Sequence, residues 1–161
     1  MRVPLLISTL ALCALSGAPA VADPGHHHGG ASPHASAAGQ PGDPRQPSRT
    51  VEIAMRDGGA SMAFAPSALH IRRGEQVRFV VRNEGEADHE LVLGTLKDNL
   101  AHGAAMAMHP DMAHHDGNAL SLEPGNSGEL VWKFTRPGVF DYSCLIPGHR
   151  EAGMTGVITV E

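Results

Sequence analysis

The sequence predicts an all-β protein, a two-sheet sandwich of about seven strands with a partly helical insertion. Two observations predict it. Apolar residues alternate with polar ones through most of residues 50–161, the period of strands that bury one face. The alternating runs are separated by Gly-, Pro- and Asn-containing breaks, spaced closely enough for hairpins or sandwich corners.

Taken in order, the strands are centred on Val51-Ile53-Met55, Leu69-Ile71, Val77-Phe79-Val81, Leu91-Leu93, Leu130-Trp132-Phe134, Phe140-Tyr142 and Val157-Ile158-Val160. The breaks are Asp57-Gly58-Gly59, Arg73-Gly74-Glu75, Asn83-Glu84-Gly85, Pro124-Gly125-Asn126 and Pro137-Gly138. Residues 95–118 depart from the pattern. They show no alternation, are rich in Ala, Met and His, and offer a stretch from Lys97 to Met108 that can be helical. An insertion of this length between strands is uncommon in a compact domain and is more often functional.

The folded domain is expected over residues 50–161, the size of one ordinary domain. Before it, residues 1–22 have a positive start at Arg2, an apolar run from Val3 to Leu15 and a small-residue site at Ala20-Val21-Ala22, the three parts of a cleaved secretory signal peptide. The run is too short to span a membrane, and no later segment approaches the ~20 apolar residues a span needs. Leu12 stands before Cys13 where lipid attachment would want a small residue, so a lipid anchor is not expected. Residues 23–49 consist largely of Gly, Pro, Ser, Ala and His. They read as a disordered tail with too little apolar surface to order itself. The expected location is the periplasm.

Removing the leader leaves Cys144 as the single cysteine, which excludes a disulfide framework, and an unpaired thiol in an oxidising compartment is a liability unless something occupies the sulfur. It also removes Arg2 from the 12 basic residues against 17 acidic ones, and the resulting negative balance disfavours nucleic acid and anionic membrane as partners.

Cys144, His149 and Met154 follow one another at equal steps in the segment Cys144-Leu-Ile-Pro-Gly-His149-Arg-Glu-Ala-Gly-Met154. A thiolate, an imidazole and a weak thioether, completed by a second imidazole, form the ligand set of an electron-transfer copper centre. Cys144 closes one strand and Met154 precedes the last, so one loop carries three donors, with Pro147, Gly148 and Gly153 to turn it. His89 begins a strand and is the best candidate for the fourth; His70, on another strand edge, is the alternative.

These residues resemble the cupredoxins, the single-domain blue copper family that includes plastocyanin, azurin, auracyanin and rusticyanin. The stretch from Pro137 to Ile158 is similar to the rusticyanin and auracyanin form of the ligand loop, with four residues between Cys and His. A weaker likeness in Phe64 to Val77 and Asn83 to Val92 extends it over most of residues 50–161. The resemblance implies a cupredoxin-like Greek-key sandwich and favours His89 over His70. It also implies one type 1 copper, Cu(I)/Cu(II), bound by His89 and His149 through ring nitrogen, by Cys144 through sulfur and by Met154 as a long axial ligand. Glu90 stands where plastocyanin and azurin carry an Asn that braces the Cys loop, so the surroundings of the site differ from theirs.

A narrower resemblance is to periplasmic copper-tolerance cupredoxins of the CopI type, carried by Asp88-His89-Glu90, the 95–118 insertion and His26-His27-His28. The function it implies is copper tolerance through a redox-active copper site, with a redox or copper-handling protein as partner. The alternative is a soluble respiratory electron shuttle. Leu145, Ile146 and Pro147 beside His149 are expected to form an apolar docking rim. An enzyme is not expected, because one domain without repeated His-X-His elements cannot build a trinuclear oxidase site. His102, Met106, Met108, His109, Met112, His114 and His115 are candidate ligands for additional copper ions; the bland alternative is an amphipathic flap whose methionines cover the core.

Overall fold

The computed structural model describes residues 36–59, 61–108 and 117–161. Its strands are β1 (Gln40–Pro41), β2 (Arg49–Gly58), β3 (Ser61–Ala65), β4 (Ala68–Ile71), β5 (Gln76–Asn83), β6 (His89–Gly94), β7 (Ala119–Leu122), β8 (Ser127–Lys133), β9 (Gly138–Ser143) and β10 (Thr155–Val160), with one helix, α1 (Leu96–Met108). They form two five-stranded sheets, in the orders β1-β8-β5-β2-β3 and β4-β10-β9-β6-β7. The predicted sandwich is present, with six of the seven expected runs inside a strand, the seventh running one residue past β8 at Phe134, and three further short strands at sheet edges.

The alternation sorts side chains between core and surface. Ile53 and Met55 of β2, Val77, Phe79 and Val81 of β5, and Leu130 and Trp132 of β8 line the inner face of the first sheet. Against them pack Leu91 and Leu93 of β6, Phe140 and Tyr142 of β9, and Ile158 and Val160 of β10. Phe79 meets Phe134 edge to face at 6.2 Å between ring centroids, a favoured aromatic geometry.

β6 is buried along its whole length, which one-sided packing cannot produce. Side chains on a strand alternate between faces, so Leu91 and Leu93 point inward while Glu90 and Val92 lie on the outer face. That face is covered by α1, which packs on β6 and β9. Thr95 starts the helix: its Oγ1 accepts from the Asp98 backbone N–H at 3.1 Å and donates to the Asp98 carboxylate at 2.7 Å. The helical stretch expected over Lys97 to Met108 is thus a lid on the second sheet.

The tail boundary expected at Arg49 falls inside ordered structure. Gln40 and Pro41 pair with Lys133 and Trp132 at the edge of β8, Ala38 is 0% exposed, and the Gln76 side chain binds the backbone of Asp43 through both its oxygen and its nitrogen. Backbone pairing and one small buried residue hold this strap, so the scarcity of large apolar side chains does not prevent its ordering. The expected signal peptide, His26 to His28 and His34 lie outside the described residues.

Phe79→Ala should lower the unfolding free energy by about 3–5 kcal/mol in denaturant titration. Arg45→Ala, which removes only an exposed pairing with Asp43, should leave the midpoint where it is.

Candidate metal centre

Strand register brings the donors together. His89 shares the inner face of β6 with Leu91 and Leu93. Cys144 extends the inward series Phe140, Tyr142 of β9, and Met154 precedes Gly156, Ile158 and Val160 on the inward series of β10. β6 and β9 are antiparallel with Val92 opposite Ser143, and β9 and β10 are antiparallel with Thr155 opposite Ser143, so all three residues arrive at one end of the second sheet. His89, Cys144 and Met154 are buried there.

His149 comes from the loop between β9 and β10. Its backbone N–H donates to the Ile146 carbonyl and its carbonyl accepts from the Met154 N–H, both at 3.0 Å. Gly148 and Gly153 take φ of 89° and 106°, a region open to glycine, which lets so short a loop fold back on itself. Arg150 grips Asp141 of β9 in a two-pronged ion pair at 2.9 and 3.0 Å.

One donor atom each from His89, Cys144 and His149 lies within 4.8 Å of the other two. His89 Nδ1 stands 3.2 Å from His149 Nδ1, and Cys144 Sγ 3.3 Å from the same nitrogen. His89 turns its other nitrogen, Nε2, to Asp57 at 3.1 Å. A ring that donates from Nε2 presents a lone pair at Nδ1 in its neutral form, which is what a metal needs. His70, the alternative fourth donor, is exposed on β4 opposite Thr159, toward the far end of β10.

The sulfur is dry. Burial pushes the Cys144 thiol up to about 11, while the backbone N–H groups of Glu90 and Ile146 and the charge of Glu90 make smaller contributions. The Glu90 N–H stands 3.5 Å from Sγ. Burial, then the neighbouring His89, hold His149 below the usual imidazole range, with Asp57 opposing, so the ring favours the neutral form that ligates.

A sequence profile of copper-binding proteins of the plastocyanin/azurin family matches residues 50–161. The chain belongs to that family. Among similar proteins, a "Copper-resistant cuproprotein CopI" from Rubrivivax gelatinosus is 46% identical over 157 residues, covering 94% of this chain and 93% of that protein. A protein of the same name from Pseudomonas aeruginosa is 34% identical over 183 residues, covering 96% and 94%. The solved structure of auracyanin B superposes with a TM-score of 0.60 at 28% identity, over 76% of this chain and 96% of that one. Copper is the cofactor of this cupredoxin, and the donor set fits it: a thiolate with imidazole nitrogens suits copper, and hard cations would want oxygen.

Sequence reasoning missed the groups that hold these ligands. Asp57 and Asn83 read there only as turn residues. Asn83 is buried, and its Nδ2 donates to the carbonyls of Ala87 and Leu122 at 2.8 and 2.9 Å, fixing the turn that leads into His89. On the outer face, Asn99 of α1 donates through Nδ2 to the Val92 carbonyl at 3.1 Å, to Asp141 at 2.7 Å and to Ser143 at 3.3 Å. Asp141 also receives Ser143 and Arg150, so a buried polar chain joins helix, strand and ligand loop. This network ties α1 and the loop carrying His149 to the end of β9 next to Cys144. Glu90 itself is buried; burial raises its carboxyl and the charge of His102 opposes the rise.

The apolar rim differs from expectation. Leu145 is only 2% exposed, and with Ile146 and Pro147 it forms one wall of a groove whose other wall is Leu100, Gly103 and Ala104 of α1. The helix covers the residue that a bare loop would have presented to a partner. Of the candidate second-site donors, Met106 is buried, His102 is half-buried and Met108 is 71% exposed on the other side of α1. His109, Met112, His114 and His115 lie outside the described residues. Among the described residues the metal-capable cluster is that of His89, Cys144 and His149, and His102 is not in it.

Asn99→Leu leaves three acceptors to share fewer donors. It should cost about 1–3 kcal/mol in denaturation and speed amide hydrogen exchange in α1, with the copper stoichiometry unchanged.

Proposed function

We propose that this cupredoxin is an exported copper-tolerance protein of the periplasm that holds one type 1 copper through His89, Cys144, His149 and Met154. The observation that carries the reading is the convergence of two imidazole nitrogens and a buried thiol within 4.8 Å, with Met154 buried at the same sheet end. Identity of 46% across nearly the whole length of a protein named for copper resistance supports tolerance as the role.

When bound, copper supplies a one-electron Cu(I)/Cu(II) couple. The chain's part is to hold soft and imidazole donors on strand ends, where neither oxidation state requires them to move far. Burial keeps water and oxidants from the Cys144 sulfur, and the Glu90 and Ile146 N–H groups temper its charge. His149 is half-buried and the most open of the donors. It is therefore the ligand through which electrons reach a redox or copper-handling partner. The function proposed is binding and electron exchange without turnover of a substrate, because one domain without repeated His-X-His elements cannot build the trinuclear site of an oxidase. Among the described residues no helix is long and apolar enough to cross a membrane.

A strain lacking the gene should fail to grow at copper concentrations its parent survives. Wild-type protein should restore growth, and Cys144→Ser, present at the same level in the periplasmic fraction, should not. Normal copper tolerance with impaired respiration would instead identify an electron shuttle.

A further inference from the structure

Asp57 follows Ile53 and Met55 on the inward-facing positions of β2 and lies outside the cluster of His89, Cys144 and His149, yet four polar contacts converge on its carboxylate. Its Oδ1 accepts from the Glu86 N–H at 2.9 Å, and its Oδ2 accepts from the Glu86 and Ala87 N–H groups at 3.1 and 2.9 Å. Oδ2 also meets His89 Nε2 at 3.1 Å. The carboxylate lies so close over Gly85 that a Cβ there would stand 2.7 Å from it. It reaches this place from β2, on the opposite sheet from His89, so the contact ties the two sheets together at the metal end.

We infer that Asp57 is a positioning residue that locks His89 into the Nε2–H tautomer, aims Nδ1 at the copper position and biases the bound copper toward Cu(II). The inference rests on the reading of His89 as a copper ligand. The physical grounds are three. The two backbone N–H groups fix the carboxylate before any metal arrives, so it acts as a preset acceptor. A carboxylate accepting from a ligating imidazole's remote N–H makes that imidazole a stronger donor. Its negative charge favours the more highly charged oxidation state. The other groups hydrogen-bonded to the Asp57 carboxylate are backbone N–H donors of the 86–87 turn, which a neutral amide oxygen can still satisfy in part.

Asp57→Asn and Asp57→Leu test this against the wild type by two measurements. In the metal-free protein, 15N NMR of the His89 ring should report the Nε2–H tautomer for the wild type and a mixture, or the other tautomer, for Asp57→Leu. In the copper-loaded protein, Asp57→Asn should lose about tenfold in Cu(II) affinity relative to Cu(I), a positive shift of about 59 mV in the midpoint potential. An unchanged potential in Asp57→Asn, with the visible spectrum of the wild type intact, overturns the role of Asp57 and leaves the copper reading standing. A wild-type protein that binds no copper overturns both. If Asp57→Leu does not fold, the potential of Asp57→Asn decides alone.

Discussion

The metal end of this protein depends on strand register. Three donors occupy inward positions at the ends of β6, β9 and β10, and the pairings of Val92 with Ser143 and of Thr155 with Ser143 set their relative heights. Because side chains alternate with period two, slipping β9 by one residue would turn Cys144 from the core to the outer face and replace it with a neighbour of unsuitable chemistry. The core residues behind the site, Leu91, Phe140, Tyr142 and Ile158, therefore do two things at once. They exclude water, and by choosing the register they choose which atoms meet.

Two braces act on that register from opposite sides. On the inner side, Asp57 of the facing sheet and buried Asn83 hold the turn before His89. On the outer side, Asn99, Asp141, Ser143 and Arg150 bind α1 to β9 and to the loop that carries His149. A buried charged pair stabilises little when its desolvation is counted, but removing one partner is costly. The chain in which Asp141 receives an amide, a hydroxyl and a guanidinium leaves few of its lone pairs unmet. Helix α1 of the insertion is thereby part of the site's support, and it carries His102, Met106 and Met108.

The strongly alternating runs and the Cys-His-Met spacing were legible in the sequence because each rests on local chemistry: period two for strands, donor softness for copper. What stayed hidden depends on distant partners. β1 is ordered by pairing its backbone with β8, which leaves no mark in side-chain composition. β3 and β7 are short, and β7 begins next to a segment without alternation. Leu145 looked like a surface residue because nothing local says that a helix starting some fifty residues earlier will cover it. Asp57, beside two glycines, carries an ordinary turn signature, and its link to His89 appears only once the two sheets face each other. Of the eleven histidines, His89 is favoured by its strand-start position together with the family resemblance, and the structure places it in the cluster with Cys144 and His149.

Cys144, held dry between His89 and His149, takes copper directly through its sulfur in the proposed centre. Titration of the metal-free protein with Cu(II), followed by visible absorbance and by metal analysis of the same samples, tests it. An intense sulfur-to-copper band should grow in, saturate at one equivalent and be absent from Cys144→Ser. A wild-type protein that binds copper without that band, or a Cys144→Ser variant that keeps it, would rule the Cys144 sulfur out as a ligand.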